Sequence, residues 1–254
     1  MSFLASNFRN LTASSTLEIN EISKNLQNSG KDIFKFGLGQ SPFPVPSVLI
    51  EELKKYAHVK DYLDVTGLFE LRRSVASYHT KRNKEEYNSE NVLIGPGSKE
   101  LLFQCQMVLD SVTILPAPSW VSYAPQAKFL GKKIAWLKSN AEQNWHILPE
   151  TLDKFCSKET KKNKLLILNS PNNPSGTSHS NLKELAYVAK KHNLIVISDE
   201  IYAELDYSGA YHSISHFYPE GTIISGGLSK WCGAGGWRLG TMVFPNKYLN
   251  IRNA

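Results

Sequence analysis

The sequence predicts an α/β protein, a three-layer sandwich in which helices cover both faces of a mainly parallel β-sheet. Short continuous apolar runs such as Leu194–Ile197 alternate along the chain with amphipathic helical patterns such as Asn181–His192. Strands that are apolar on both sides are typical of parallel sheets buried between helices. With 254 residues, 41% of them hydrophobic, the chain is long enough to bury one substantial core.

The elements follow in a regular order after a first helix, which is predicted at Leu17–Leu26 behind a Ser15 or Thr16 cap. The predicted strands are Val92–Ile94, Val112–Leu115, Lys133–Leu137, Lys164–Leu168, Leu194–Ile197, Thr222–Ser225 and Leu239–Phe244. The predicted helices between them are Ser98–Leu109, Trp120–Leu130, Leu148–Cys156 and Ser180–His192. We expect two regions: residues 1–44 form an N-terminal arm, and residues 45–254 form a large domain.

Composition excludes several classes of protein. The net charge is +6, but the basic residues are spread out and are not interleaved with aromatic residues, so they indicate a solvated surface that favours anionic ligands and not a nucleic-acid interface. The three cysteines have no metal-ligand spacing, and their odd number suits a reducing compartment. No apolar run is long enough to span a bilayer. We therefore expect a cytoplasmic protein without a metal.

Functional side chains collect directly after the predicted strands. The five segments that follow strands are GPGSK, PAPSW, NSPNNPSG, SDEIY and GGLSKWCGAGGWRLG. In open α/β sheets, ligands bind outside the carboxyl ends of the strands. These segments together carry the donors and flat rings that suit a phosphorylated aromatic cofactor, so the sequence predicts its site at this edge.

Lys230 is the predicted nucleophile. A lysine after a strand is usually a solvated charge, but Lys230 lies between a Gly-Gly turn and a glycine-rich stretch, where a ligand can approach the backbone closely. A nucleophilic lysine must be partly neutral, and burial beside other cations lowers its pKa in that direction. Arg238, eight residues later, is the cation that we expect to act in this way.

Asp199 and Tyr202 are predicted to act on the ring of the cofactor. Asp199 ends an apolar strand, where it can cap a helix or hold a pyridine nitrogen protonated. Because a buried carboxylate without a partner is costly, we expect a cationic partner. Tyr202 can donate to a phenolate oxygen or simply pack in the core.

The remaining candidates bind the ring and the phosphate. The rigid NSPNNPSG turn orients asparagine side chains towards the ring oxygen. Ser98 and Lys99 open a helix whose free N–H groups suit a phosphate, and Arg238 can clamp it with two hydrogen bonds. Trp120 offers a flat face for stacking, although a single tryptophan is more often a packing residue.

Together these motifs resemble the fold type I pyridoxal-phosphate-dependent enzymes, and within them the class I and II aminotransferases related to aspartate aminotransferase. The segment LSKWCGAGGWRLG is the most specific, NNPSG with DEIY is strong, and FGLGQSPFPVP, GPGSKELLF and PAPSWVSY are supportive. The resemblance runs essentially from end to end, and it implies that residues 1–44 include the substrate-entry loop and that residues 45–254 are the pyridoxal-phosphate-binding large domain, incomplete at its C-terminal end. It implies transamination between an L-amino acid and a 2-oxo acid in a homodimer.

The resemblance also implies a role for each residue. Lys230 would form a Schiff base with pyridoxal phosphate and shuttle a proton to and from the substrate α-carbon. Gly39, Trp120 and Asn173 would contact the substrate, and Tyr62 would reach the phosphate in the neighbouring subunit. The cofactor-binding set is Ser98, Lys99, Trp120, Asn173, Asp199, Tyr202, Ser229, Arg238 and Tyr62.

Two departures from the family pattern affect this prediction. Many relatives carry a phosphate-binding serine three residues before the lysine, whereas this sequence has Gly227; Ser225 or Ser229 would have to substitute. The sequence ends at Ala254, one strand beyond Arg238. The resemblance therefore implies that the C-terminal small domain, with the arginine that binds the α-carboxylate, is absent from this sequence.

Two other functions stay open at this point. The same scaffold supports a β-lyase or an elimination of the aminocyclopropane-carboxylate-synthase type. A shortened homologue that binds the cofactor but turns over little or no substrate is the second, because active sites rarely survive the loss of a substrate-orienting arm. A nicotinamide enzyme is disfavoured, since no G-x-G-x-x-G opens a helix after a strand.

Overall fold

The structure, a computed structural model, describes residue 3 and residues 15–37, 39–83, 85–209 and 211–254. Its centre is a seven-stranded sheet. The strands are β1 (Val92–Gly95), β2 (Val112–Ala117), β3 (Ile134–Lys138), β4 (Lys164–Asn169), β5 (Ile195–Asp199), β6 (Thr222–Gly227) and β7 (Gly240–Val243).

The strand order is β1-β7-β6-β5-β4-β2-β3, and only β7 runs against the others. β7 is antiparallel to both β6 and β1, so β1 points in the same direction as β2 to β6. The remaining neighbours pair in parallel, for example Asn169 with Asp199 and Asp199 with Ser225. Six strands therefore deliver their carboxyl ends to one edge of the sheet, which is the arrangement that concentrates loop residues into a single site.

The described helices lie before, between and after the strands. They are α1 (Ser15–Asn28), α2 (Ser47–Tyr56), α3 (Phe69–Arg82), α4 (Ser98–Val108), α5 (Tyr123–Phe129), α6 (Pro149–Lys158), α7 (Leu182–Lys191) and α8 (Leu249–Asn253). Leu148 precedes Pro149 at the start of α6, where proline is well placed because its missing N–H has no helical partner there.

Alternate residues of the strands feed two separate cores. Leu166 and Leu168 of β4 face the helices α6 and α7, whereas Leu165 and Ile167 face α4 and α5. A smaller cluster, which includes Val92, packs under α3 on the α6–α7 side. This alternation is the result of the two-residue period of a strand, and it leaves nearly every central strand residue buried. The predicted three-layer sandwich with a mainly parallel sheet is confirmed.

The predicted elements differ from the observed ones mostly at their ends. Trp120 stands outside α5, which begins at Tyr123, and β2 extends through Pro116 to Ala117. Helices α2 and α3 were not predicted from periodicity. α2 buries none of its residues in this structure.

The N-terminal region is only partly described. Its first helix is longer than predicted at both ends, since α1 covers Ser15–Asn28, and the expected capping side chains of Ser15 and Thr16 lie outside the described part. Among the described residues, no helix is both long enough and apolar enough to cross a membrane.

Candidate active site

A cavity of about 890 Å³ opens at the carboxyl edge of the sheet. Its volume is in the range of pockets that hold a cofactor together with a small substrate. All of the predicted site residues except Tyr62 line it: Gly39, Ser98, Lys99, Trp120, Asn173, Asp199, Tyr202, Ser229, Lys230 and Arg238. They come from the loops after β1, β2, β4, β5 and β6 and from the segment before α2.

Lys230 stands in the turn after β6, with its side chain half-buried in the cavity wall. Its Nζ donates a hydrogen bond to the carbonyl oxygen of Gly39 at 3.4 Å and lies 5.6 Å from the ring centroid of Tyr202. Burial lowers the pKa of this amine. The predicted influence of Arg238 is wrong: removal from water is the cause, and no neighbouring cation contributes.

Asp199 ends β5 and is buried, with 3% of its surface exposed. The hydroxyl of Tyr123 donates to its Oδ2 at 2.5 Å, and the backbone N–H of Ile201 donates to its Oδ1 at 3.3 Å. No side-chain cation among the described residues pairs with this carboxylate, so the expected cationic partner stays a prediction, and the neutral phenol of Tyr123 is the side chain in contact with it. Burial raises the pKa of Asp199 to about 6, and the two hydrogen bonds oppose this rise because they favour the ionised form.

Tyr202 and Asn173 meet in the same wall. The Nδ2 of Asn173 donates to the Oη of Tyr202 at 3.3 Å. Burial raises the pKa of Tyr202, so its phenol keeps its proton near neutral pH and can donate it into the cavity. The side chain of Asn169 connects this pair to Asp199: its Oδ1 accepts the N–H of Asn173 at 2.7 Å, and its Nδ2 donates to the Asp199 carbonyl at 2.9 Å.

One end of the cavity carries cationic side chains that suit an anion. Arg238 follows a short 3-10 turn in the left-handed conformation, with φ of 55°. Its guanidinium donates to the carbonyl oxygens of Gly235 at 2.8 Å and Pro96 at 3.4 Å, and it passes directly over Gly97. A Cβ on Gly97 would overlap that guanidinium, and the φ of 96° at Gly97 favours glycine because residues with a side chain rarely adopt it. The first turn of α4, with Ser98 and Lys99, completes this end.

The position of the family's phosphate-binding serine is closed to any side chain here. Gly227 has φ of 155°, and a Cβ on it would come within 2.6 Å of the Leu239 carbonyl oxygen. Of the two serines that could substitute, Ser229 lines the cavity. Ser225 is fully buried in β6 and faces away from solvent, which favours Ser229.

Trp120 stands half-buried at the rim, supported from behind by another ring. Its ring meets that of Tyr123 edge to face, with centroids 5.2 Å apart, and the Nζ of Lys99 lies 5.6 Å from the Trp120 centroid. Such support fixes the orientation of the indole before any ligand arrives.

Gly39 and Tyr62 occupy contrasting places. Gly39 lines the cavity and contacts Lys230 through its carbonyl oxygen, as described above. Tyr62 does not line the cavity, and its side chain is fully exposed. Its predicted reach into a neighbouring subunit stays a prediction.

Sequence reasoning missed two residues that hold the site together, Tyr123 and Asn169. Both stood inside quoted motifs, PAPSWVSY and NSPNNPSG, but neither carries a signal that points to its partner. Asn169 reaches Asp199 across the parallel register of β4 and β5, whereas Tyr123 reaches it from α5, so only the tertiary structure reveals these contacts.

The comparisons with known proteins agree on one family. The profile described as "Aminotransferase class I and II" matches residues 31–253. The chain is 33% identical over 249 residues to the aspartate aminotransferase of Bacillus subtilis, covering 93% of this chain and 62% of that protein. It is likewise 33% identical over 258 residues to the aspartate aminotransferase of Geobacillus stearothermophilus, covering 97% of this chain and 65% of that protein.

Solved structures give the same result. The structure of aspartate aminotransferase from Thermus thermophilus with maleate superimposes with a TM-score of 0.91 at 27% identity, covering 99% of this chain and 67% of that chain. Aspartate aminotransferase from Thermotoga maritima superimposes with a TM-score of 0.88 at 28% identity, covering 98% and 68%. The chain thus spans somewhat less than two thirds of the length of the curated relatives it matches.

Proposed function

Because this chain belongs to the class I and II aminotransferase family, we propose that it binds pyridoxal phosphate and transfers an amino group between an L-amino acid and a 2-oxo acid. The observation that carries the proposal is the meeting, in one cavity, of a half-buried lysine, a buried carboxylate and an anion-binding end. The relatives named above are aspartate aminotransferases, which supports amino transfer over a lyase reaction. The chain spans about two thirds of the length of those relatives, so amino transfer and its substrates are proposed here and rest on the cavity described above.

The residues present fit this cofactor in chemistry and in order. The phosphate group would be bound at one end of the cavity by Arg238, Lys99 and the free N–H groups at the start of α4. The Asp199 carboxylate would accept a hydrogen bond from the pyridine nitrogen. The Tyr202 hydroxyl and the Asn173 amide would donate to the phenolic oxygen. Two glycines allow close packing at this end. A Cβ on Gly240 would overlap the backbone of Gly97 and Ser98, and a Cβ on Gly97 would overlap the Arg238 guanidinium.

Lys230 is the residue that we assign to proton transfer and to covalent attachment. When bound, pyridoxal phosphate supplies an aldehyde for an amino group and an electron-withdrawing ring that acidifies the substrate α-carbon. Burial lowers the pKa of Lys230, which increases the fraction of its amine that is neutral and able to accept a proton. The Gly39 carbonyl and the Tyr202 ring hold Nζ within the cavity.

Asp199, Tyr202 and Trp120 would orient the cofactor ring and keep its nitrogen protonated. Asp199 would hold a proton on the ring nitrogen, for which it must itself be ionised. With a pKa of about 6 it is mostly ionised at neutral pH, even before a cation approaches. Tyr202, which accepts a hydrogen bond from Asn173, keeps its own proton to donate to the phenolic oxygen. Trp120 would cover one face of the ring and exclude water from it.

Covalent attachment is tested by trapping. The chain is incubated with pyridoxal phosphate, reduced with borohydride, digested and analysed by peptide mass spectrometry. We expect the pyridoxyl group on Lys230, and its loss in Lys230→Ala. Lys99→Ala is the matched control, since Lys99 lines the same cavity but should leave the label on Lys230. A label spread over exposed lysines and unchanged in Lys230→Ala would refute the proposal.

We further propose that the protein forms a homodimer in which Tyr62 reaches the phosphate of its partner. The segment Val59–Val65 supports this, since Val59, Tyr62, Leu63 and Val65 all expose more than half of their surface. Such clustered apolar exposure is typical of an interface. Sedimentation analysis should find a dimer, and Tyr62→Phe should weaken cofactor binding while leaving that dimer intact; a monomer at all concentrations would contradict it.

A cytoplasmic location is also proposed. The three cysteines, Cys105, Cys156 and Cys232, are free and buried, which suits a reducing compartment.

A further inference from the structure

The strongest feature outside the assigned residues is the contact between Tyr123 and Asp199. Tyr123 begins α5 and is 1% exposed. Its ring belongs to the core cluster that packs α4 and α5 against the sheet, and it also meets Trp120 edge to face. The phenol is therefore held in place by the core and does not depend on a ligand for its position.

The hydroxyl of Tyr123 is the one side-chain donor to Asp199 in the part of the chain that the structure describes. It donates to Oδ2, while Oδ1 accepts the N–H of Ile201. No cation among the described residues forms an ion pair with this carboxylate. A buried carboxylate with so few partners depends strongly on each of them.

We propose that Tyr123 is a positioning residue that keeps Asp199 ionised and turned so that its carboxylate can serve the ring nitrogen of the cofactor. This inference rests on the proposed function. The phenol is suited to the role because it stays a neutral donor. Burial, together with the adjacent Asp199 charge, holds the pKa of Tyr123 well above 10, so the proton remains on the tyrosine.

Two titratable groups act on Asp199 from the elements packed around it. Tyr123 approaches from α5, and Tyr202 approaches from the turn after β5, where its own pKa is raised in part by the Asp199 charge. The Nζ of Lys230, after β6, lies over the ring of Tyr202, 5.6 Å from its centroid. Tyr202 donates no hydrogen bond to Asp199, so among the described residues no other side chain donates to this carboxylate when the Tyr123 hydroxyl is lost.

A plain packing role for Tyr123 predicts something different. If only the ring mattered, phenylalanine would serve equally well, because it keeps the ring and removes the hydroxyl alone. The positioning role predicts that Tyr123→Phe raises the pKa of Asp199, since the hydroxyl stabilises only the ionised form. A hydrogen bond to a charged group contributes enough to expect a rise of about one pH unit.

The experiment measures the titration of Asp199 by carbon NMR of the cofactor-free chain labelled at its aspartate carboxyl carbons, with Asp199→Asn to assign the signal. We expect a midpoint near 6 in the unmodified chain and about one unit higher in Tyr123→Phe. Tyr218→Phe is the matched control, because Tyr218 is equally buried but donates to the Leu194 carbonyl oxygen. An Asp199 midpoint that is the same in Tyr123→Phe and the unmodified chain would overturn the inference.

A second measurement needs no variant at Tyr123 and so holds even if that variant does not fold. In the unmodified chain, the Cζ signal of Tyr123 should shift with the same midpoint as Asp199 and lose that shift in Asp199→Asn. Independent titration of the two residues would overturn the inference. Neither NMR measurement involves the cofactor. Its result is therefore independent of the labelling of Lys230, and failure of this inference can be told apart from failure of the proposed function.

The consequence for the cofactor is a pH-dependent affinity. Titration of Tyr123→Phe with pyridoxal phosphate should show a greater loss of affinity at pH 6 than at pH 8, because the protonated fraction of Asp199 grows as pH falls. A loss of equal size at both pH values would indicate a packing role only and would overturn the inference.

Discussion

The Oδ1 of Asn169 accepts the backbone N–H of Asn173 at 2.7 Å, which makes Asn169 the link between two walls of the cavity. Its Nδ2 donates in the other direction to the backbone carbonyl of Asp199 at 2.9 Å. Asn169 ends β4 and Asp199 ends β5, and the parallel register pairs the two residues directly. One buried amide thus sets the distance between the turn that carries Asn173 and the strand that carries Asp199.

Asn169→Ala should therefore destabilise both the fold and the site. It leaves an N–H and a carbonyl group without their partners, and we expect a loss of about 1–3 kcal/mol in the free energy of unfolding. Pyridoxal phosphate should also bind more weakly. Urea denaturation and cofactor titration measure the two effects. Asn140→Ala, which removes a hydrogen bond from an exposed turn, is the control and should change neither by a comparable amount.

Gly97→Ala should displace the guanidinium of Arg238, because the added Cβ would overlap it. We expect the affinity for pyridoxal phosphate to fall about tenfold or more, in line with the loss of one charge-assisted contact. Gly131→Ala is the control for a general effect of replacing a glycine of positive φ, since Gly131 has φ of 66° and open space around it, and it should leave the affinity unchanged. If both variants lost affinity equally, a general loss of stability and not the Arg238 contact would be the cause.

Lys230 should react with aldehydes and acylating reagents at a lower pH than an ordinary lysine. Burial lowers its pKa from 10.5, so its neutral fraction appears at lower pH in the folded chain. Because the folded form releases its proton more readily than the unfolded form, this group adds stability as pH rises through that window. Competitive labelling followed by mass spectrometry gives the midpoint, which should return to about 10.5 when the chain is unfolded in urea. An unchanged midpoint on unfolding would contradict the expectation.

His179 should make the fold sensitive to acid. Its ring stacks on that of His146 with centroids 4.6 Å apart, and both are buried. Burial, followed by the effect of His146, lowers the pKa of His179 from 6.5 to about 4. Because the unfolded chain binds the proton more readily, stability is full above pH 6.5 and falls as pH drops towards 4, by up to about 3 kcal/mol.

The measurement is the free energy of unfolding at several pH values between 4 and 7. His179→Gln should flatten part of the slope, whereas His58→Gln, at an exposed position, should leave it as it is. His79 and His146 also have pKa values lowered by burial, so some slope should remain in His179→Gln. A slope unaffected by His179→Gln would exclude His179 as a contributor.

Much of the architecture followed from local patterns. Continuous apolar strands such as β4 and amphipathic helices such as α7 are encoded within single segments, so their identity and order could be read directly. The site residues could be placed at one edge for the same reason, because the carboxyl ends of parallel strands converge whatever the strand order.

The sequence by itself determined the layered α/β fold, the family and a list of cavity residues headed by Lys230. Only the tertiary structure decided the strand order, the reversal of β7 and the partners of those residues. It placed the Tyr123 hydroxyl against Asp199, and it showed that burial lowers the pKa of Lys230. The physical reason is that hydrogen bonding and desolvation depend on which distant segments become neighbours, whereas periodicity records only which side of an element faces the core.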